Sequence, residues 1–215
     1  MKLNTLCRNG GLAAAALTLS LGLAACGGEE EPTTGSDNTT QSDETTPDDT
    51  QAMEEDASAQ TYGAGCAQVP TDGAGSFNGM ATAPVASAAS ANPLLKTLVA
   101  AVTEASLVEP LNSAPELTVF APADPAFAAI PKKDMNAVMS DKQMLGSILK
   151  HHVVGEQISP DELSGEFETL NGDKLTINGS GEQATIGDEK AHVLCGNVPT
   201  ANATVYVIDT VLMPS

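Results

Sequence analysis

The apolar pattern of this chain changes period part-way along, and that change limits the folds open to it. Leu94, Leu95, Leu98, Val99 and Val102 recur at helical spacing. Asn92-Pro93 ahead of them reads as a helix cap followed by Pro at the first helical position. Residues 117–121 read as a strand, and Asp124-Pro125 opens a short helix through Phe127 and Ala128. Asp141 starts another, which should bury Met144, Leu145, Ile148 and Leu149. Ser159-Pro160-Asp161-Glu162 has the spacing of a capping box, so a helical turn is expected there. Beyond it the period falls to two. Residues 168–170 and 174–177 flank Asn171-Gly172, a type I′ hairpin signal. Short strands at 184–186 and 191–194 lead to an apolar strand at 204–213. Helices first and strands afterwards predict an α+β fold.

Charge narrows the partners. The chain holds 28 acidic and 9 basic residues, a formal net charge of −19. Lys2 and Arg8 precede the first apolar run, and the basic residues after it are all lysines. Nucleic acid and anionic lipid headgroups need clustered Lys and Arg to displace counterions, so both are excluded as partners. With no Trp, two Tyr and four Phe, a base-stacking platform or sugar-stacking cleft has little to be built from.

The N-terminus points to export. Lys2 and Arg8 form a positive region, and residues 11–23 (GLAAAALTLSLGL) form an apolar one followed by small residues, the three-part secretory pattern. The apolar run is shorter than the roughly 20 residues that a membrane span requires. Leu23-Ala24-Ala25-Cys26-Gly27 resembles a bacterial lipobox, in which the cysteine thiol takes diacylglycerol and becomes the new N-terminus. Residues 1–25 are therefore expected to be a lipoprotein signal peptide and Cys26 the lipidation site. Two or three acyl chains, at roughly 0.8 kcal/mol per buried CH₂, hold a protein stably on a membrane. Cys7 would leave with the signal, and Cys66 and Cys195 remain as one pair outside the cytoplasm, where a disulfide is the expected fate. A metal site is a poor alternative, since no CxxC occurs and only His151, His152 and His192 could help.

Residues 26–61 read as a disordered acidic, Thr-rich tether. They cannot bury enough apolar surface to offset the entropy of ordering. Its span is at least about 30 Å, because like charges extend it beyond a Gly/Ser coil. Thr33-Thr34, Thr39-Thr40 and Thr45-Thr46 recur every six residues and invite O-glycosylation, although a solvated acidic linker accounts for them without it. From Tyr62 the composition turns apolar, and residues 62–215 form one domain with order beginning near Cys66.

Three blocks inside that domain keep a common order: residues 118–127 (TVFAPADPAF), 149–154 (LKHHVV) and 203–214 (ATVYVIDTVLMP). Together they resemble the fasciclin domain family, with its TVFAPTNDAF-like first block, its Tyr-His middle block and a closing V-I-D-x-V-L-x-P strand. The resemblance covers residues 92–215, and the lead-in around Cys66 is similar to that of the single-domain fasciclin-like surface lipoprotein antigens of mycobacteria. It implies a curved β-wedge or sandwich with helices packed on it, and a role in adhesion and extracellular interaction rather than catalysis. In animal members the Tyr-His region is linked to integrin binding. Here His152 matches the His, and His151 stands where the family has Tyr.

His151, His152 and Asp209 are accordingly the candidate binding residues, weighed against purely structural roles. Placed on a strand, adjacent imidazoles would point to opposite faces and could not share one metal ion. Asp124 reads as a helix cap. Asp209 interrupts an apolar strand, and a buried carboxylate needs partners, so the two are expected to hold the first and last blocks together. A glycosidase pairing of these acids lacks the aromatic cleft. No G-x-S-x-G elbow, phosphate-binding loop or RGD sequence occurs, so neither an enzyme nor a cofactor is expected. The reading is a membrane-anchored, extracytoplasmic adhesion module that binds a cell-surface or matrix protein or polysaccharide. It would sit lipid-anchored at the outer face of the cytoplasmic membrane, with partial release an alternative fate. The rival is an envelope lipoprotein that captures a small molecule or polysaccharide in a cleft.

Overall fold

The computed structural model describes residues 56–214, so the signal peptide, Cys26 and the tether up to residue 55 lie outside the described residues. Ahead of Tyr62, residues 56–61 form turns held by Ala59 N donating to Asp56 O and Thr61 N to Ser58 O.

Among the described residues seven α-helices and seven strands follow. The helices are α1 (Phe77–Ala81), α2 (Val85–Ala91), α3 (Lys96–Glu104), α4 (Val108–Ser113), α5 (Asp124–Ala128), α6 (Lys132–Ser140) and α7 (Lys142–His151). The strands are β1 (Leu117–Pro122), β2 (Val153–Val154), β3 (Gly165–Glu168), β4 (Lys174–Asn178), β5 (Thr185–Ile186), β6 (Ala191–Pro199) and β7 (Ala203–Ile208). They form one sheet in the order β2-β1-β7-β6-β5-β4-β3, with β1 and β7 parallel and the other pairs antiparallel. The expected α+β class is found.

Both central strands are buried on two faces, which is why each reads as a continuous apolar run. Val119 and Ala121 of β1, with Val205 and Val207 of β7, face the helices and pack with Leu98, Ala101 and Val102 of α3. Phe120, Tyr206 and Ile208 face the other way, onto Leu175, Ile177 and Ile186 of β4 and β5. Phe120 and Tyr206 are register partners with ring centroids 5.7 Å apart. The Tyr206 hydroxyl, buried beneath them, donates to Ile158 O at 2.9 Å. The sheet can cover two cores because β6 is irregular. Its pairing shifts register between Val193 and Val198, so its first residues pair with β5 and the rest with β7.

Cys66 and Cys195 are disulfide-bonded, as expected, with Cα atoms 4.8 Å apart. The lead-in arm is also held to β6 by paired backbone bonds between Tyr62 and Gly196. A Cβ at Gly196 would lie 2.4 Å from the Tyr62 ring, so this contact requires glycine.

Several local expectations need correction. Asn92 does not cap α3. Its side-chain oxygen accepts from Leu94 N at 3.0 Å, which delays the helix to Lys96. Met144 is 49% exposed, leaving Leu145, Ile148 and Leu149 as the buried face of α7. Ser159 and Glu162 do bond to one another, at 2.8 Å, but within a turn. The hairpin is not type I′. Gly172 alone has positive φ, and Gly172 N donates to Thr169 O while Thr169 N donates to Asp173 O. That makes a three-residue loop with one left-handed glycine, and β3 ends at Glu168. The last strand ends at Ile208, short of the expected residue 213, and the Asp209 carboxylate accepts from His192 N of β6.

Candidate functional site

His151 and His152 lie at the C-terminal end of α7, not on a strand. His151 is its last helical residue and His152 its C-cap, so the two rings still diverge, now for a helical reason. His151 Nδ1 meets Asp173 Oδ1 at 2.7 Å, on the loop joining β3 to β4. That carboxylate also accepts from the Thr169 hydroxyl, and its other oxygen accepts from Asn171 Nδ2 at 2.8 Å. Burial raises the Asp173 carboxyl, but the bonds from Thr169, Asn171 and His151 outweigh it and hold the group down at about 2. The arrangement clamps the hairpin tip to the end of α7. Asp173 was not singled out from sequence. Its position directly after the Asn171-Gly172 turn was the available signal.

His152 is 2% exposed. Its Nδ1 bonds the Ile148 carbonyl at 2.8 Å, and Leu212 N donates to its Nε2 at 2.9 Å. A carbonyl only accepts and a backbone N–H only donates, so the proton must sit on Nδ1 and the ring is neutral. Its own carbonyl accepts from Phe120 N at 2.9 Å. The residue thus joins α7, β1 and the C-terminal tail. Burial lowers the imidazole to about 4, opposed by the Ile148 bond and aided by His151.

The consequence has a definite sign. Between about pH 6.5 and pH 4 the unfolded chain holds a proton on His152 that the folded chain refuses. The stability contributed by this neutral ring is full above about pH 6.5 and falls away as pH drops through about 4, by up to about 3 kcal/mol. Thermal melts from pH 7.5 to 4 should show that decline in the native protein and a shallower one in His152→Ala. Parallel curves would contradict it.

The two motif carboxylates do not meet. Asp124 begins α5, and its side chain accepts from Thr97 N at 2.8 Å, capping α3 instead of its own helix. Asp209 Oδ1 accepts from His192 N at 2.9 Å and from the Thr210 hydroxyl at 2.8 Å, and Asp209 N donates to His192 O. It extends the β6–β7 pairing by one rung. The expected joint role of these acids is therefore replaced by two separate caps.

Among the described residues no three His, Cys, Asp or Glu side chains gather as a metal-binding group, and no helix is long and apolar enough to cross a membrane. An apolar concavity of about 280 Å³ lies between α2, α3, α4, α7, β1 and β2, with the carbon edge of His152 in its wall.

The Fasciclin domain model matches residues 93–214, which takes in all three sequence blocks, the clamp and the caps. The chain belongs to the fasciclin family. Fasciclin-domain relatives include the cell surface glycolipoprotein MPB83 of Mycobacterium bovis, 44% identical over 174 residues that make up 77% of this chain and 77% of that one. Immunogenic protein MPB70 of the same species is 44% identical over 167 residues, 74% of this chain and 84% of the other. Protein sll1483 of Synechocystis is 37% identical over 129 residues, 59% of this chain and 71% of the other. A solved fasciclin domain pair from the insect cell adhesion molecule Fasciclin I aligns with a TM-score of 0.48 and 24% identity, over 55% of this chain and 45% of that one.

Proposed function

We propose that this protein is an extracytoplasmic, cell-surface interaction module that acts without catalysis. The observation that carries the reading is the commitment of its motif side chains to internal bonds. His151 and Asp173 pair with each other, both nitrogens of His152 are engaged, and Asp124 and Asp209 cap backbone N–H groups. A general base or nucleophile needs a group within reach of substrate, and these are turned inward. Affinity then comes from the folded surface, with a cell-surface or matrix protein or polysaccharide as partner. Family membership and relatives named as cell surface glycolipoproteins support exposure at the envelope. His151, His152 and Asp209 enter as the scaffold of that surface and not as its contacts.

The module is lipid-anchored through Cys26, at the outer face of the cytoplasmic membrane. Cys26→Ala should abolish labelling by a palmitate analogue and either release the protein or leave an unprocessed precursor. A wild-type protein that takes no label would end the anchor reading. A pull-down from envelope or matrix fractions with the intact chain as bait tests the interaction itself. Recovery of a protein or polysaccharide supports it, and turnover of any recovered molecule by the chain overturns its non-catalytic part.

A further inference from the structure

The concavity beside His152 is unlike the rest of the core. It is a cavity of about 280 Å³, near the lower end of small-molecule sites, and fifteen of its eighteen lining residues are apolar. Its floor is made by buried side chains, among them Leu98, Val102, Val119 and Leu149. Its rim carries exposed Ser90, Pro110, Lys150 and Leu170, so it opens to solvent. Leu170 is 46% exposed there, an apolar side chain held out at the hairpin tip.

The three polar lining residues define what can enter. His152 has both nitrogens engaged and offers only carbon. The Ser90 hydroxyl donates to Ala86 O at 2.8 Å. That leaves Lys150, whose ammonium makes no ion pair among the described residues. A ligand must therefore be free of polar groups along its buried length, because the interior holds no partner for them. Its polar end must lie at the rim, where the charge is positive.

We propose that this cavity binds a single-chain alkyl carboxylate, with its chain among α2, α3, α4 and β1 and its head beside Lys150. A volume of about 280 Å³ equals roughly nine waters at liquid density, and a methylene takes similar room, so roughly eight to twelve carbons fill it. Two-chain lipids are too large for it. The net charge of −19 disfavours an anionic bilayer but not one carboxylate at one lysine. This activity is separate from the surface contacts proposed above and stands or falls by itself.

The test is equilibrium dialysis of labelled saturated carboxylates of six to sixteen carbons against the full chain, each below its micelle concentration, with melting temperature followed in parallel. Affinity should rise about fourfold per methylene up to roughly ten or twelve carbons and then stop rising. Lys150→Glu, an exposed substitution, should weaken decanoate about fivefold and leave an uncharged decyl compound unchanged. Val99→Phe, which narrows the mouth, should abolish both. Because decanoate binds the folded form, it should also raise the melting temperature of the native chain. Affinity that ignores chain length, or that survives Val99→Phe in a protein with native melting behaviour, overturns the proposal. Two further results would do the same: binding to anionic phospholipid vesicles with none to decanoate, or a dimer that Val99→Phe dissociates and decanoate leaves intact.

Discussion

Replacing Cys66 and Cys195 together by Ala should lower the unfolding free energy by about 5 kcal/mol. The bridge closes a sequence separation of 129 residues, nearly the whole domain, and in the chain-entropy model a loop of that length restricts the unfolded state by about that amount. For a domain of this size the melting temperature falls by roughly 10–20 °C. Alanine is the informative replacement. Cys195 is fully buried, and serine would add an unpaired hydroxyl to the loss of the bridge. Mass spectrometry without reductant should find the two peptides linked in the exported protein. Free thiols in oxidised material, or equal melting temperatures for the native and double-Ala proteins, would contradict this.

His152→Ala should be the most damaging single substitution in the motif blocks, at about 3–4 kcal/mol. It removes the acceptor for Leu212 N and the donor to Ile148 O, and it leaves a space between α7 and the C-terminal tail. The tail should loosen first, since Leu212 N then has no partner in a site that water does not reach. Amide hydrogen exchange at Leu212 reports this directly, and protection there equal to the native value would count against the assignment.

How far the fold could be read from the sequence depended on how local its signals were. Asp141 caps α7 through Gln143 N and Met144 N, and Asp124-Pro125 opens α5, because both signals are complete within four residues. The central strands were legible from their continuous apolar runs. Helix α2 was not, since VASAASA has too little contrast between its faces to show a period. Helix α6 buries no residue fully, and its stripe of Met135, Val138 and Met139 is little more than one turn long and only half-buried. The histidine pair, expected on a strand, does not lie on one. The helix runs up to His151 with His152 as its C-cap, and only Val153 and Val154 beyond them pair with β1. The carboxylate roles were illegible for a different reason. Asp124 caps a helix 27 residues earlier and Asp209 bonds a residue 17 positions back, and no periodicity records such distances. The cavity is the extreme case. Its walls come from four helices, two strands and a hairpin tip, and its apolar positions also read as ordinary core.

Melting temperature and retention on a matrix fraction, measured on the same preparations of native protein, His152→Ala and Asp209→Ala, decide whether this region is scaffold or contact surface. Asp209 is only half-buried, so its removal should cost about 1 kcal/mol and a few degrees. The scaffold assignment predicts that each variant retains native binding below its own melting transition and loses it on unfolding. Binding abolished at an unchanged melting temperature would contradict that assignment and put the contact surface on these side chains.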